Sequence, residues 1–281
     1  ESPDSRRQAE ARIREAVGLI EVVESGWEGA APLEVLVAKC YVAVAKRDRE
    51  KGKALCHEGI ERFRGEMGAE EFWFLLHWFS PEPEGRAALE KAVELRPHYP
   101  WAQYHLGHKL NHKSAPEAKK KAIHHYGLAI VSFPRFARAY YARGNAKSDL
   151  GEYRSAIADF DAALSYRPAW AAALTNRGIS RYRLGDMDGA LEDYTEAIRC
   201  DPDHVKAHNN RAILYGAKGD LPAALADLDE ALRMAPDYVI GRKTRGIYYL
   251  EEKRFAEALV DFDTAVRHAP HDAEAYLGRA L

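Results

Sequence analysis

At 281 residues the chain is longer than a common single-core domain, which leaves either two domains or a linearly growing array of repeats. Its 41 Lys and Arg against 43 Asp and Glu give a formal net charge of -2, so no global positive field exists to hold a phosphate backbone or an anionic membrane. Three cysteines, Cys40, Cys56 and Cys200, match neither a disulfide framework nor a paired zinc motif and fit a reducing compartment; the longest apolar stretch, Phe72 to Phe79 interrupted by His77, is too short to cross a bilayer.

Residues 1–31 are read as an N-terminal helix, charged and amphipathic through residue 25, with Ile13, Val17, Ile20 and Val23 or Glu24 tracing its stripe; it caps or precedes the array. A degenerate helix pair within 32–65 is suggested by Val35 to Ala45 and Ala54 to Phe63, and another within 66–99 by Phe72, Leu76 and Pro97. Trp73, Trp78 and Trp101 with Phe72, Phe74 and Phe79 make residues 72–104 the most aromatic part of the chain. Core packing accounts for most of these rings, and any left exposed is a candidate anchor, because aromatic side chains dominate interface hot spots. Leu106-Gly107, Ala122, Tyr126, Ala129 and Pro134 fit a third pair at 100–136 if three extra residues lie in the Asn111 to Pro116 turn.

From residue 137 onward a 34-residue period governs the chain. Prolines recur at Pro168, Pro202, Pro236 and Pro270, and alanines at Ala156, Ala190, Ala224 and Ala258 and again at Ala163, Ala197, Ala231 and Ala265. Between the alanines stands a large residue, Phe160, Tyr194, Leu228 or Phe262, and upstream a small one, Gly144, Gly178, Ala212 or Gly246, as close packing of two helices requires. Gly151, Gly185 and Gly219 offer the left-handed conformation that ends a first helix, with Lys253 in that place in the fourth unit. The prolines force Arg167, Asp201, Ala235 and Ala269 to lie at or past the ends of second helices. The units are 137–170, 171–204, 205–238 and 239–272, and residues 273–281 begin a further first helix cut short, as expected of a fragment or a processed chain.

Segments such as Leu174-Thr-Asn-Arg-Gly178, Gly185-Asp-Met-Asp-Gly-Ala190 and Asp201-Pro202 resemble the pattern of the tetratricopeptide-repeat (TPR) family, and four consecutive units carry the whole signature in register. The resemblance implies an all-α fold, a right-handed α-solenoid of antiparallel helix hairpins, acting as a protein-protein interaction scaffold. It further implies that the first helices line a concave groove for a partner's peptide or helix. The residues expected there are Trp101, Tyr104, His105, His108 and His112, then Arg138, Tyr141 and Asn145, then Asn176, Tyr182 and Arg183, then Lys206, Asn209 and Asn210, and finally Lys243, Thr244 and Ile247. An asparagine amide offers both a donor and an acceptor to a bound backbone, which makes Asn145, Asn176 and Asn210 the leading candidates. Asn145, Asn176 and Lys206 also resemble part of the clamp with which some members hold the acidic C-terminus of a chaperone, but Tyr141 stands where the clamp's first lysine belongs and Asn210 where its later arginine does.

Arg143, Arg177, Arg211 and Arg245 are each followed 16 residues later by an aspartate, Asp159, Asp193, Asp227 or Asp261; at 100–136 the matching residues are Leu106 and His125, so both members are missing together. That joint absence predicts a structural ion pair between the helices of a unit or between neighbouring units. His105, His108 and His112 share one helical face and could hold zinc or nickel, yet no carboxylate or cysteine joins them at ligand spacing and a structural zinc takes four ligands, so no metal or cofactor is assigned. His124 and His125 are expected to be solvated. No phosphate-cradling glycine loop, zinc-protease helix motif or nucleophile elbow occurs, so no catalytic residue is assigned and the chain is not expected to be an enzyme. Beside the scaffold stand two alternatives: a non-catalytic targeting or regulatory arm of a larger enzyme or signalling protein, and a histidine-based metal- or pH-responsive module. The expected partner is another protein, neither nucleic acid nor membrane, and the expected location is the cytoplasm.

Overall fold

The structure, a computed structural model, describes residues 32–111 and 115–280. The expected helix within 1–31 and the candidate His112 lie outside the described residues. Among the described residues the regular structure is entirely α-helical, and the chain gathers into two compact units that meet in sequence between Pro134 and Arg135.

Among the described residues the first unit holds three helix pairs: α1 (Leu33–Lys46) with α2 (Arg49–Arg62), α3 (Glu70–Phe79) with α4 (Glu84–Leu95), and α5 (Pro100–Asn111) with α6 (Pro116–Ser132). Its core runs through Leu36, Cys40, Cys56, Phe72, Leu75, Phe79, Leu89 and Leu106. The aromatic segment divides as alternation along a helix demands: Phe72, Phe74 and Phe79 are buried, whereas Trp78 is 49% exposed.

The second unit holds four pairs, α7 (Ala137–Asp149) with α8 (Tyr153–Tyr166), α9 (Ala171–Arg183) with α10 (Met187–Cys200), α11 (Val205–Ala217) with α12 (Leu221–Met234), and α13 (Val239–Glu251) with α14 (Phe255–His268). A last helix, α15 (Ala273–Ala280), follows. The second helices end where proline geometry requires: Arg167, Asp201, Ala235 and Ala269 each donate a backbone N–H to the carbonyl four residues back and go no further.

Small and large residues meet as pairs between the two helices of a unit. A methyl group placed on Gly178 would sit 2.6 Å from the ring of Tyr194, so only glycine admits the aromatic there. In the third unit, where Ala212 replaces glycine, Leu228 replaces the ring, and both belong to one buried cluster.

First helices end on a left-handed residue: Gly151 at φ 79°, Gly185 at 86°, Gly219 at 81°, and Lys253 at 61°. The fourth turn thus keeps the geometry without the residue that adopts it freely. A left-handed L-residue costs ~1 to 2 kcal/mol, and glycine returns part of this through its looser unfolded chain. Lys253→Gly is therefore expected to stabilise the protein by about 0.5 to 1 kcal/mol, read from the urea midpoint; a lower midpoint would refute this.

Candidate functional site

The recurrent aspartates anchor the second unit. Asp159, Asp193, Asp227 and Asp261 are all buried, and each binds the arginine of its own first helix, at 2.6 Å from Arg143, 2.5 Å from Arg177, 2.7 Å from Arg211 and 2.7 Å from Arg245. The same arginines also reach back to the preceding second helix: Arg177 to Asp161 at 2.6 Å, Arg211 to Thr195 at 3.4 Å, Arg245 to Asp229 at 2.6 Å. On α15, Arg279 takes the same register and meets Asp263 at 2.8 Å. The expected arginine–aspartate pairing thus lies within each unit, and the contacts between neighbours use other residues of the second helices.

Each aspartate has a second cation that the 34-residue period did not reveal. Asp159 binds Lys147 at 2.8 Å and Asp193 binds Arg181 at 3.2 Å, four residues after the ladder arginine; Asp227 binds His208 at 3.0 Å and Asp261 binds Arg242 at 2.7 Å, three residues before it. The signal was present as an exchange: where the later position becomes Tyr215 or Tyr249, the earlier one becomes basic. His208 faces only acceptors, Asp227 on Nδ1 and the Pro202 carbonyl on Nε2, each at 3.0 Å, an arrangement that favours the protonated ring, which donates from both nitrogens. The hydrogen bond to Asp227 raises its pKa, and although burial works against the Asp227 carboxylate, Arg211 and His208 hold its pKa below the usual range.

In the first unit the matching register carries Gln103, which accepts from His125 Nδ1 at 2.7 Å and donates to the Pro97 carbonyl at 2.8 Å. His125 is thus half-buried and hydrogen-bonded rather than solvated, because the small amide leaves it a partner where the other units have an aspartate; His124 is exposed.

Charge is segregated by helix. The first helices α7, α9, α11 and α13 carry eleven Lys and Arg against two acidic residues, and the second helices α8, α10, α12 and α14 carry four Arg against twelve acidic residues. Most first-helix cations are consumed by the aspartates. Arg138, Arg183 and Lys206 are exposed and, among the described residues, have no carboxylate partner. On the same helices Asn176 donates to Asn145 Oδ1 at 2.8 Å and to the Tyr141 hydroxyl at 3.1 Å, while Tyr141 packs at a tilt against Trp170 with ring centres 4.5 Å apart. Asn176 and Asn210 are half-buried, as is Tyr182.

Other candidates are differently placed. Asn209 is 2% exposed, so it belongs to the packed layer while its neighbour Asn210 stays accessible. Lys243 is held by Asp272 at 2.7 Å and Glu274 at 2.8 Å, which raise its pKa against the opposing effect of burial, and Thr244 donates to its own helix at Ile240. Ile247 is exposed.

In the first unit Trp101 is 39% exposed, and His105 packs edge-on against Trp78 at 5.1 Å and Phe74 at 5.5 Å, with His77 at 4.9 Å. Tyr104 adjoins both His105 and His108. These imidazoles lie within an aromatic stack, and among the described residues no group of three or more His, Cys, Asp or Glu gathers as metal ligands. His77 itself is 6% exposed and donates from Nδ1 to the Phe74 carbonyl; burial lowers its pKa to about 4. No described helix is long and apolar enough to cross a membrane.

The tetratricopeptide-repeat family model matches residues 141–205, 175–239, 209–273 and 243–281, half of the chain. No curated protein matches the sequence. Similar solved structures include a tetratricopeptide repeat protein from Parabacteroides merdae, with a TM-score of 0.66 and 18% identity over 88% of this chain and 97% of that one. The Cut9–Hcn1 hetero-tetramer of the APC/C gives 0.70 at 14% identity over 95% of this chain and 51% of that one. YrrB, described as a TPR protein with an unusual peptide-binding site, gives 0.52 at 20% identity over 70% and 100%. At these identities the likeness is one of fold: an all-helical α-solenoid of helix hairpins.

Proposed function

Because the chain belongs to the tetratricopeptide-repeat family, we propose that it is a non-catalytic scaffold whose first helices in the second unit line a groove for an extended, carboxylate-bearing segment of another protein. The observation that carries this reading is the set of exposed cations that have no carboxylate partner among the described residues, Arg138, Arg183 and Lys206, on helices whose other cations are already neutralised. Asn145, Asn176 and Asn210 supply amides for the segment's backbone, and Tyr141 and Tyr182 supply apolar contact. That YrrB carries a peptide-binding site supports a peptide over a globular partner. The odd cysteine count supports the cytoplasm as its setting.

Panning a random peptide library against the intact chain is expected to enrich sequences rich in Asp and Glu, bound less tightly as salt rises. Combining Lys206→Ala with Asn210→Ala is expected to weaken the selected peptide at least tenfold, ~1.4 kcal/mol, with the helical melting curve unchanged. Enrichment of apolar or basic peptides, or equal affinity in the folded double variant, would remove this reading.

A further inference from the structure

Of the three cysteines, the fold brings two together. Cys40 on α1 and Cys56 on α2 stand symmetrically about Asp48 in the turn between their helices, with sulfurs 3.7 Å apart and both residues 0% exposed. The Cys56 thiol donates to the Cys40 sulfur. Cys200 lies in the other unit, beside Glu196 at 3.7 Å.

We propose that Cys40 and Cys56 are a covalent modification site: a small-molecule disulfide oxidises them to an intramolecular cross-link that staples α1 to α2. Sulfurs already in van der Waals contact need to close by only ~1.7 Å to reach the bonded length of about 2.05 Å. No other residue intervenes between them, and the helices are held face to face by the surrounding core of Leu36, Phe72, Leu75 and Phe79.

The exchange balances as follows. The Cys40 thiolate attacks one sulfur of the reagent, forming a mixed disulfide and expelling one reagent thiolate; the Cys56 thiolate then attacks the Cys40 sulfur, forming the Cys40–Cys56 bond and expelling the second. The two cysteines lose two electrons, the reagent disulfide gains them, and the two thiol protons end on the two expelled thiolates. Cys56 is the later nucleophile, because its hydrogen bond to Cys40 and then burial raise its pKa. Burial also means that exchange waits on opening of the α1–α2 hairpin, so reaction is slow in the closed state and the cross-link, once made, prevents that opening.

The full chain is incubated with oxidised glutathione, with and without urea below the unfolding midpoint. The expected product has lost two of its three titratable thiols, is lighter by two hydrogens, yields a proteolytic fragment joining Cys40 to Cys56, and melts at a higher temperature than the reduced chain. Urea is expected to speed its formation. Cys200→Ser is expected to form the same cross-link, and Cys40→Ser to give a glutathione adduct at Cys56 with no rise in melting temperature. Glutathione adducts on separate sulfurs of the wild-type chain without a cross-link, retention of three titratable thiols even in urea, or a bond involving Cys200 would each overturn the proposal.

Discussion

Asp193→Ala is expected to lower stability by about 3 to 5 kcal/mol, because removing one partner of a buried ionic group strands the others. Asp193 is 2% exposed and answers two guanidinium groups, Arg177 at 2.5 Å and Arg181 at 3.2 Å. Arg177 would retain Asp161 near the surface, but Arg181 would be left with the Gly189 carbonyl at 3.0 Å and, as its one carboxylate, Asp186 at 3.9 Å. For a protein whose folding free energy is ~5 to 15 kcal/mol, such a loss is a large share of the whole. Asp193→Asn, which keeps the shape and part of the hydrogen bonding, is expected to cost less. Urea unfolding followed by far-ultraviolet circular dichroism decides the matter; an unchanged midpoint for Asp193→Ala would show that the ladder holds nothing together.

Acid should weaken the protein through His77. Its folded pKa is lowered from the ordinary 6.5 to about 4 by burial, so between these values the unfolded chain binds a proton that the folded chain does not. Stability from this residue is present above pH 6.5 and is lost progressively as pH falls towards 4, reaching a cost of about 3 kcal/mol at one pKa unit per 1.36 kcal/mol. His77→Gln keeps a polar side chain but cannot titrate, and its stability is expected to lack this decline. His208 works in the opposite sense: its raised pKa favours the folded state below 6.5 and gives that advantage up as pH climbs through the folded value. The difference between wild type and His77→Gln isolates the first effect, and parallel pH profiles for the two proteins would exclude it.

The helices of the second unit were legible because their boundaries are written locally. Proline stops a second helix and a left-handed residue ends a first one whatever lies around them, and even Lys253 keeps its place in the pattern at φ 61°. Contacts that depend on two helices at once were harder to read. Lys147 and His208 meet their aspartates from opposite sides of the ladder arginine, so no constant offset exposes them. Asn209 and Asn210 are adjacent and chemically identical, yet about 100 degrees of helical rotation sends one into the core. Cys40 and Cys56 lie in a pair whose period is degenerate, and only the closed hairpin makes them neighbours.

The arginines that reach backwards do not all find the same chemistry. Three end on a carboxylate, Asp161, Asp229 or Asp263, but Arg211 ends on the Thr195 hydroxyl at 3.4 Å. The joint between α10 and α11 is therefore stitched by a guanidinium on a neutral hydroxyl where its counterparts are ion pairs, and the ion pair across it, Lys218 to Asp188, lies at the solvent rim. The second unit is accordingly one charge short near its middle, at a joint that lies between the helices of Asn176 and Asn210.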